Sequence, residues 1–217
     1  MSNLDYLQSV SSVLAQGLLV TVKATALGMT LATTLGLVVA VLRLLRIPVL
    51  SHVLEVLVMA VRNTPLLVQL YLLYYVLPVY GITLSAFQVG VIGLGVHFSA
   101  YTAEVYRAGF ENVPKGQWEA ARALNLSLFD TIGRVIFPQA LRPVIPALGN
   151  YLISMFKDSA IIATVTVMEL LGTTQQLASE SFRYTLLFTT MGIIYFAISY
   201  PSSLAVRWLE SRMGRLS

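Results

Sequence analysis

Stretches of two dozen residues with almost no charge recur along this chain, and a soluble core of its size has no room to bury them all. The longest lie at about 16–42, 53–80, 84–106, 143–168 and 185–208, each bounded by charge, proline or glycine. About 20 residues cross a hydrocarbon layer of about 30 Å, so each segment is long enough to span a membrane. Only 11% of the 217 residues are charged and 57% are hydrophobic, against roughly a quarter charged in a soluble domain. A conventional soluble enzyme is excluded on that ground. The sequence predicts an all-α membrane protein of about five spanning helices within residues 16–208, preceded by a segment 1–15 and followed by a tail at 209–217.

The charges that remain are placed between the spans. Arg43, Arg46 and Pro48 form the first link, Tyr80-Gly81-Ile82-Thr83 a very short turn, and residues 107–142 a long polar loop. A last link carries Glu169, Glu180 and Arg183. Lys and Arg collect on the cytoplasmic side of membrane proteins. An outside N-terminus puts ten of the 14 basic residues in the cytoplasm: Arg43, Arg46, Arg107, Lys115, Arg122, Arg134, Arg142, Arg207, Arg212 and Arg215. The expected orientation is therefore N-terminus out and C-terminus in, with the long loop cytoplasmic. The net charge of +4 is scattered singly, which speaks against a nucleic-acid stripe.

Several chemistries are absent from the composition. With no cysteine there is no disulfide, thiolate zinc site or cysteine nucleophile. His52 and His97 stand far apart, so no metal site is expected. Neither a Gly-x-Ser-x-Gly elbow nor a His-Glu-x-x-His pair occurs, which argues against an intramembrane protease. The dipeptide Gly-Lys of a P-loop is missing too. The opening Met1-Ser2-Asn3-Leu4-Asp5-Tyr6 has no basic region or cleavage site, so the first helix is expected to be retained. In that helix Gly28, Ala32 and Gly36 repeat every four residues, and Gly90, Gly93 and Gly95 cluster in the third span. Small faces of this kind let membrane helices approach closely.

The long loop has its own local logic. Pro114 suits a first helical turn, and Lys115 to Leu124 is rich in helix formers. Asn125 follows at the expected C′ position, where Asn tolerates the left-handed conformation that closes a helix. Ser127 and Asp130 then resemble a capping box ahead of Ile132, Val135 and Ile136. The expectation is a helix, a sharp turn and a second helix stopped by Pro138.

These residues carry a resemblance. ABC importer permeases have a cytoplasmic signature of Glu-Ala-Ala, three residues, Gly, nine residues, then Ile, any residue, Leu, Pro. Here the same spacing holds Glu119-Ala120-Ala121, Asn125 and Val135-Ile136-Phe137-Pro138. Three positions depart, Asn for Gly, Val for Ile and Phe for Leu. Beyond the loop, Arg62-Asn63-Thr64-Pro65-Leu66-Leu67-Val68-Gln69, Ser99-Ala100-Tyr101-Thr102-Ala103-Glu104, Gly116-Gln117-Trp118-Glu119, Pro138-Gln139-Ala140-Leu141-Arg142 and Lys157-Asp158-Ser159 look like the polar amino-acid uptake branch. Together they cover about residues 15–208.

The resemblance implies a type I importer fold in the bacterial cytoplasmic membrane. It implies two copies of a separate ATPase that holds ATP and Mg, a second permease, identical or homologous, and an extracytoplasmic substrate-binding protein. This chain would bind no cofactor and catalyse no covalent step. The cargo would be a polar or cationic amino acid; the alternatives are a compatible solute such as ectoine or a betaine and, in another class, an ion-gradient-driven transporter or channel. In the family the loop forms a coupling helix that sits in the ATPase. Gln117, Trp118, Glu119, Ala120, Ala121, Asn125 and Pro138 are its residues here, with Glu119 available to a basic group and Trp118 to a pocket.

Candidates for the path follow from the cost of polar groups inside a membrane. Asp158 falls near the middle of the fourth span, where it would receive a substrate's cationic group, with Lys157 for its carboxylate and Ser159 beside them. Asn63, Thr64 and Gln69 surround a proline interruption in the second span, where freed backbone groups line a cavity or a kink forms with Arg62 snorkelling. Tyr101 and Glu104 are gate candidates, Glu104 also standing three residues before Arg107.

Overall fold

In the computed structural model, which describes residues 2–45 and 47–213, helices and short turns make up the described residues, with no strand among them. Arg46 and Arg215, both counted toward orientation, lie outside these residues. Helix α1 runs Asn3–Leu44, starting well before the expected residue 16. A capping box opens it, the Asp5 amide donating to Ser2 Oγ at 3.2 Å and the Ser2 amide to Asp5 Oδ2 at 3.0 Å. Residues 1–15 therefore do not form a separate segment over the described stretch. Leu7, Val10 and Leu14, spaced by three and four, pack onto Leu170, Ala178 and Leu187 from later in the chain. At about 1.5 Å per residue, α1 reaches roughly twice the hydrocarbon thickness.

Helix α2 (Pro48–Arg62) and helix α3 (Leu66–Tyr71) replace the single second span. Helix α3 continues through a π turn, Leu72–Val76, and a 3₁₀ turn, Leu77–Tyr80, and the two halves are bent by 102°. Gly81, at φ 82°, closes the 3₁₀ turn in a conformation that favours glycine. Helix α4 (Ala86–Glu111) opens on a Ser85/Gln88 capping box.

Helix α5 (Lys115–Ala123) is the loop helix; α6 (Leu128–Asp130) then passes through a π turn, Thr131–Ile136, into α7 (Phe137–Asp158). Pro138 thus does not stop a helix. Proline clashes with the carbonyl four residues back, and the π turn resolves this by shifting the register one residue: the Phe137 amide bonds the Ile132 carbonyl, five back. The same device precedes Pro78, where the Leu77 amide bonds the Leu72 carbonyl.

Helix α7 tightens into a 3₁₀ turn, Ser159–Val165, short of the expected end at 168. Helix α8 (Leu170–Ser181) occupies what the sequence suggests is only a link, and α9 (Tyr184–Met213) extends into the expected tail. By length and composition α1 and α9 are each long enough to cross a membrane, and the two bent pairs, Pro48–Arg62 with Leu66–Tyr80 and Leu128–Val165 with Leu170–Ser181, bring the number to four. The remaining expected span, the third, corresponds to α4, which carries Glu104, Arg107 and Glu111 in its last turns.

The small face of α1 receives α4. Thr102 Oγ1 donates to the Ala32 carbonyl at 2.7 Å, an interhelical bond that requires the backbones to lie close. A Cβ added at Gly36 would stand 2.0 Å from Thr102 Oγ1 and 2.9 Å from the Ala103 amide nitrogen. Backbone cannot yield there. Gly36→Ala is expected to destabilise the protein by about 1–3 kcal/mol through overpacking, read as a lower melting temperature in detergent. Gly192→Ala, inside α9 with open space around it, should hold or raise that temperature, since Ala favours helix over Gly.

Candidate functional site

Two regions bring the sequence-derived candidates together: the α5 turn, and the break between α2 and α3. Around α5 the local geometry follows from one residue. Asn125 adopts φ 51°, its amide bonds the Arg122 carbonyl at 2.9 Å, and the Leu126 amide bonds the Ala121 carbonyl at 3.1 Å. This is a complete Schellman closure with Asn at C′. Pro114 stands at the N-cap, and Ser127 Oγ accepts the Asp130 amide at 3.1 Å to start α6.

The inward and outward faces of α5 divide differently from the expectation. Ala121 is buried, and Trp118 packs inward against the cluster around Tyr106, Phe110, Ile136 and Val144. Trp118 thus ties the helix to its own chain and, half-buried, also lines a groove with Lys115, Glu119 and Arg122. Gln117 accepts from Gln139 Nε2 at 3.2 Å, a second tie to the first turn of α7, where Pro138 also stands. Outward stand Glu119 and Ala120, then Leu124, 73% exposed, and beyond the turn Phe129, 90% exposed. The sequence motif does not single out Leu124 or Phe129. Large apolar residues flanking a tight turn in an otherwise polar loop are the signal that would have found them.

At the break, side chains replace the hydrogen bonds that Pro65 removes. Thr64 Oγ1 donates to the Ala60 carbonyl at 2.9 Å, and Gln69 Nε2 donates to the Val61 carbonyl at 2.9 Å and to Thr64 Oγ1 at 2.7 Å. With its nitrogen committed, the Gln69 amide turns Oε1 toward His97 Nδ1, 3.3 Å away. His97 Nδ1 is then the donor of that pair. Arg62 lies over the Tyr101 ring, 5.2 Å from its centroid, and Asn63 and Thr64 are exposed. Tyr101 in turn meets Tyr151 at 5.7 Å between centroids.

The remaining candidates are distributed apart from this cluster. Lys157 and Asp158 are exposed in the last turn of α7, with no ion pair to each other among the described residues. Ser159 is buried and donates to the Phe156 carbonyl at 2.8 Å, so its hydroxyl is used within its own helix end. Glu104 bridges Arg43 of α1 and Arg107, at 2.8 Å to the latter, and Arg107 also pairs with Glu111 at 2.7 Å. Hydrogen bonds from Arg107 to Glu104 and Glu111 raise its pKa above the ordinary guanidinium value. This chain of charges ties α1 to α4.

The sequence alone reads Glu169 as a charge in a link. It is fully buried and caps α8 by accepting the Gly172 amide at 2.7 Å. Thr21 of α1 and Tyr195 of α9 both donate to Oε2 at 3.2 Å. One carboxyl group thereby joins three helices. Glu is not one of the residues favoured at an N-cap, so the sequence carries no signal that would have marked it. No group of three His, Asp or Glu among the described residues is arranged to hold a metal ion.

Comparison with known proteins places this geometry in context. A family model described as a binding-protein-dependent transport system inner membrane component matches residues 32–215. A probable amino-acid ABC transporter permease, y4tG of Sinorhizobium fredii, is 42% identical over 95% of this chain and 90% of its own length. The L-cystine transport system permease TcyB of Bacillus subtilis is 35% identical over 96% and 89%. Among solved structures, that of an amino acid ABC transporter with histidines superimposes with a TM-score of 0.88 at 34% identity, covering 98% of this chain and 99% of the other. The methionine transporter MetNI in an inward-facing form shares the fold, with a TM-score of 0.75 at 20% identity over 93% and 98%.

The left-handed turn is directly testable. Asn125→Gly should retain the melting temperature, whereas Asn125→Val should lower stability by about 1–2 kcal/mol, the cost of a side chain forced into this region. Thermal unfolding in detergent distinguishes the two.

Proposed function

The chain belongs to the binding-protein-dependent transport system inner membrane component family, and on that premise we propose that it is the permease subunit of an ABC importer for polar amino acids. It sits in the bacterial inner membrane with its N-terminus outside and its C-terminus and α5 in the cytoplasm. It pairs with a second permease, itself or a close relative, to enclose one path. Two copies of an ATPase bind below, and an extracytoplasmic binding protein delivers cargo above. The observation that carries this reading is the motif-spaced α5 turn, anchored inward by Trp118 and presenting Glu119, Leu124 and Phe129 outward.

Mechanically, α5 is built as a lever. Its C-terminal turn is closed by Asn125, its inner face is fixed by Trp118 and Ala121, and Gln117 ties it to Gln139. Displacement of α5 therefore passes to α7, a single helix from Phe137 to Asp158 that carries Pro143 and Pro146 inside it. ATP and Mg are held by the ATPase, whose hydrolysis cycle supplies the work. When the two ATPases close, their coupling helices move together and the path opens outward. Glu119 offers a carboxylate to a basic group of the ATPase, and Leu124 and Phe129 supply the apolar contact that anchors such interfaces. Asn63, Thr64, Gln69, Lys157 and Asp158 contribute polar groups along the path, with Tyr101 and Glu104 toward its inner end.

The experiment is reconstitution of the chain with its ATPase and binding protein in proteoliposomes. Amino-acid uptake is expected to require ATP inside the ATPase-accessible compartment. Uptake driven by an ion gradient without ATP overturns the reading. In the same system Leu124→Asp combined with Phe129→Asp should weaken binding of the ATPase about tenfold or more, measured by co-purification and titration.

A further inference from the structure

Helix α2 turns a partly polar stripe toward its neighbours and is packed at one point along it. Ser51, Glu55, Val58 and Arg62 recur at the three- and four-residue spacing of a single helix face. Val58, the only buried residue among those described in α2, packs with Ala100 and Ala103 of α4 and Val39 of α1. Below Val58 the contact gives way to a cavity of about 330 Å³. Ser51 and Glu55 line it on one side, and Arg43, Arg107 and Glu111 on the other.

Two groups of α2 at this cavity are left incomplete. The Ser51 hydroxyl is closed off from solvent and has no hydrogen-bond partner, so its desolvation is uncompensated. Glu55, the one carboxylate of α2, forms no ion pair among the described residues, although two arginines line the same cavity. Those arginines are held by Glu104, which bonds both, and by Glu111, which bonds Arg107 alone. The second pair is the weaker one. Glu111 is 62% exposed and stands four residues from Arg107 on the same helix, and exposed pairs of that kind stabilise little. Replacing Glu111 by Glu55 on Arg107 therefore costs little and closes the cavity.

Such an exchange moves more than one side chain. Val58 stands three residues after Glu55 and five before Asn63, where the break begins. At about 1.5 Å per residue the two arms are about 4.5 Å and 7.5 Å long. A rock about Val58 that carries Glu55 inward carries the break the other way, and α3 follows because Gln69 Nε2 bonds the Val61 carbonyl at 2.9 Å. We propose that α2 is a latch, open in this structure, which closes when Glu55 takes Arg107 from Glu111 and the Ser51 hydroxyl meets the narrowed wall. Glu55 is a positioning residue, acting on the path only through the break. What the movement serves rests on the importer reading.

The chain has no cysteine, so Leu44→Cys with Ser51→Cys, on facing walls of the cavity, supplies its only thiols. A disulfide between them forms only when their backbones come within about 7 Å. In the complex with the ATPase, the cross-linked fraction is expected to differ about fivefold or more between the nucleotide-free and the vanadate-trapped complex. Glu55→Gln should abolish that difference and lower ATP-dependent amino-acid uptake about tenfold. Glu111→Gln, which removes the competitor for Arg107, should hold the cross-linked fraction high in both states, a result that a merely structural Glu55 does not give. The latch is overturned if cross-linking is the same in both states of the unsubstituted pair, if Glu55→Gln imports normally, or if Glu111→Gln leaves the cross-linking pattern unchanged. State-dependent cross-linking in a complex without ATP-dependent uptake would instead overturn the importer reading and leave the latch standing.

Discussion

Inside hydrocarbon no water is present to satisfy a peptide group, so every N–H and C=O must find its partner within the protein. The helices meet that demand internally, and the exceptions are gathered at two breaks. At the first, Thr64 and Gln69 take up carbonyls that Pro65 leaves without donors. At the second, the chain leaves its 3₁₀ turn through Thr166 at φ 67°, and Glu169 captures the first free amides of α8. A β-branched residue rarely adopts a left-handed conformation, and here its hydroxyl lies 3.1 Å from Tyr74 OH in the first broken half-span. The two exceptions to regular helix are thus in contact with each other.

This arrangement explains why charge is so scarce and so placed. Glu104 joins α1 to α4 at the basic end, and Glu169 joins α1, α8 and α9 near the middle of α1. Each carboxylate works as a multi-helix clamp, since donors converge on it from separate elements. Burial of such a group is favourable only when its lone pairs are used, and both have their partners.

How much was legible in the sequence follows from the range of the forces involved. Asn125 and its left-handed turn were readable because the closure of a short helix is decided within six residues. The small face of α1 was readable as a contact, though not its partner α4. Helix α8 was hidden because Glu169, Glu180 and Arg183 made it look like a link; Glu169 belongs there only through Thr21 and Tyr195, distant in sequence. The packing of Trp118 against Tyr106 and Phe110 is not legible, because a lone aromatic in a polar loop carries no mark of the side to which it turns. Pro138 suggested a stop, since the π turn that accommodates it is a property of the six residues before it.

That π turn has a further consequence. Each residue wound into a helix rotates everything beyond it by about 100°. Thr131–Ile136 therefore acts as an angular key between the outward side of α5 and the side of α7 bearing Tyr151 and Asp158. Removing one residue from it would leave both flanking motifs intact letter by letter while turning one against the other, as a shaft seated in the wrong slot still spins but no longer opens its valve.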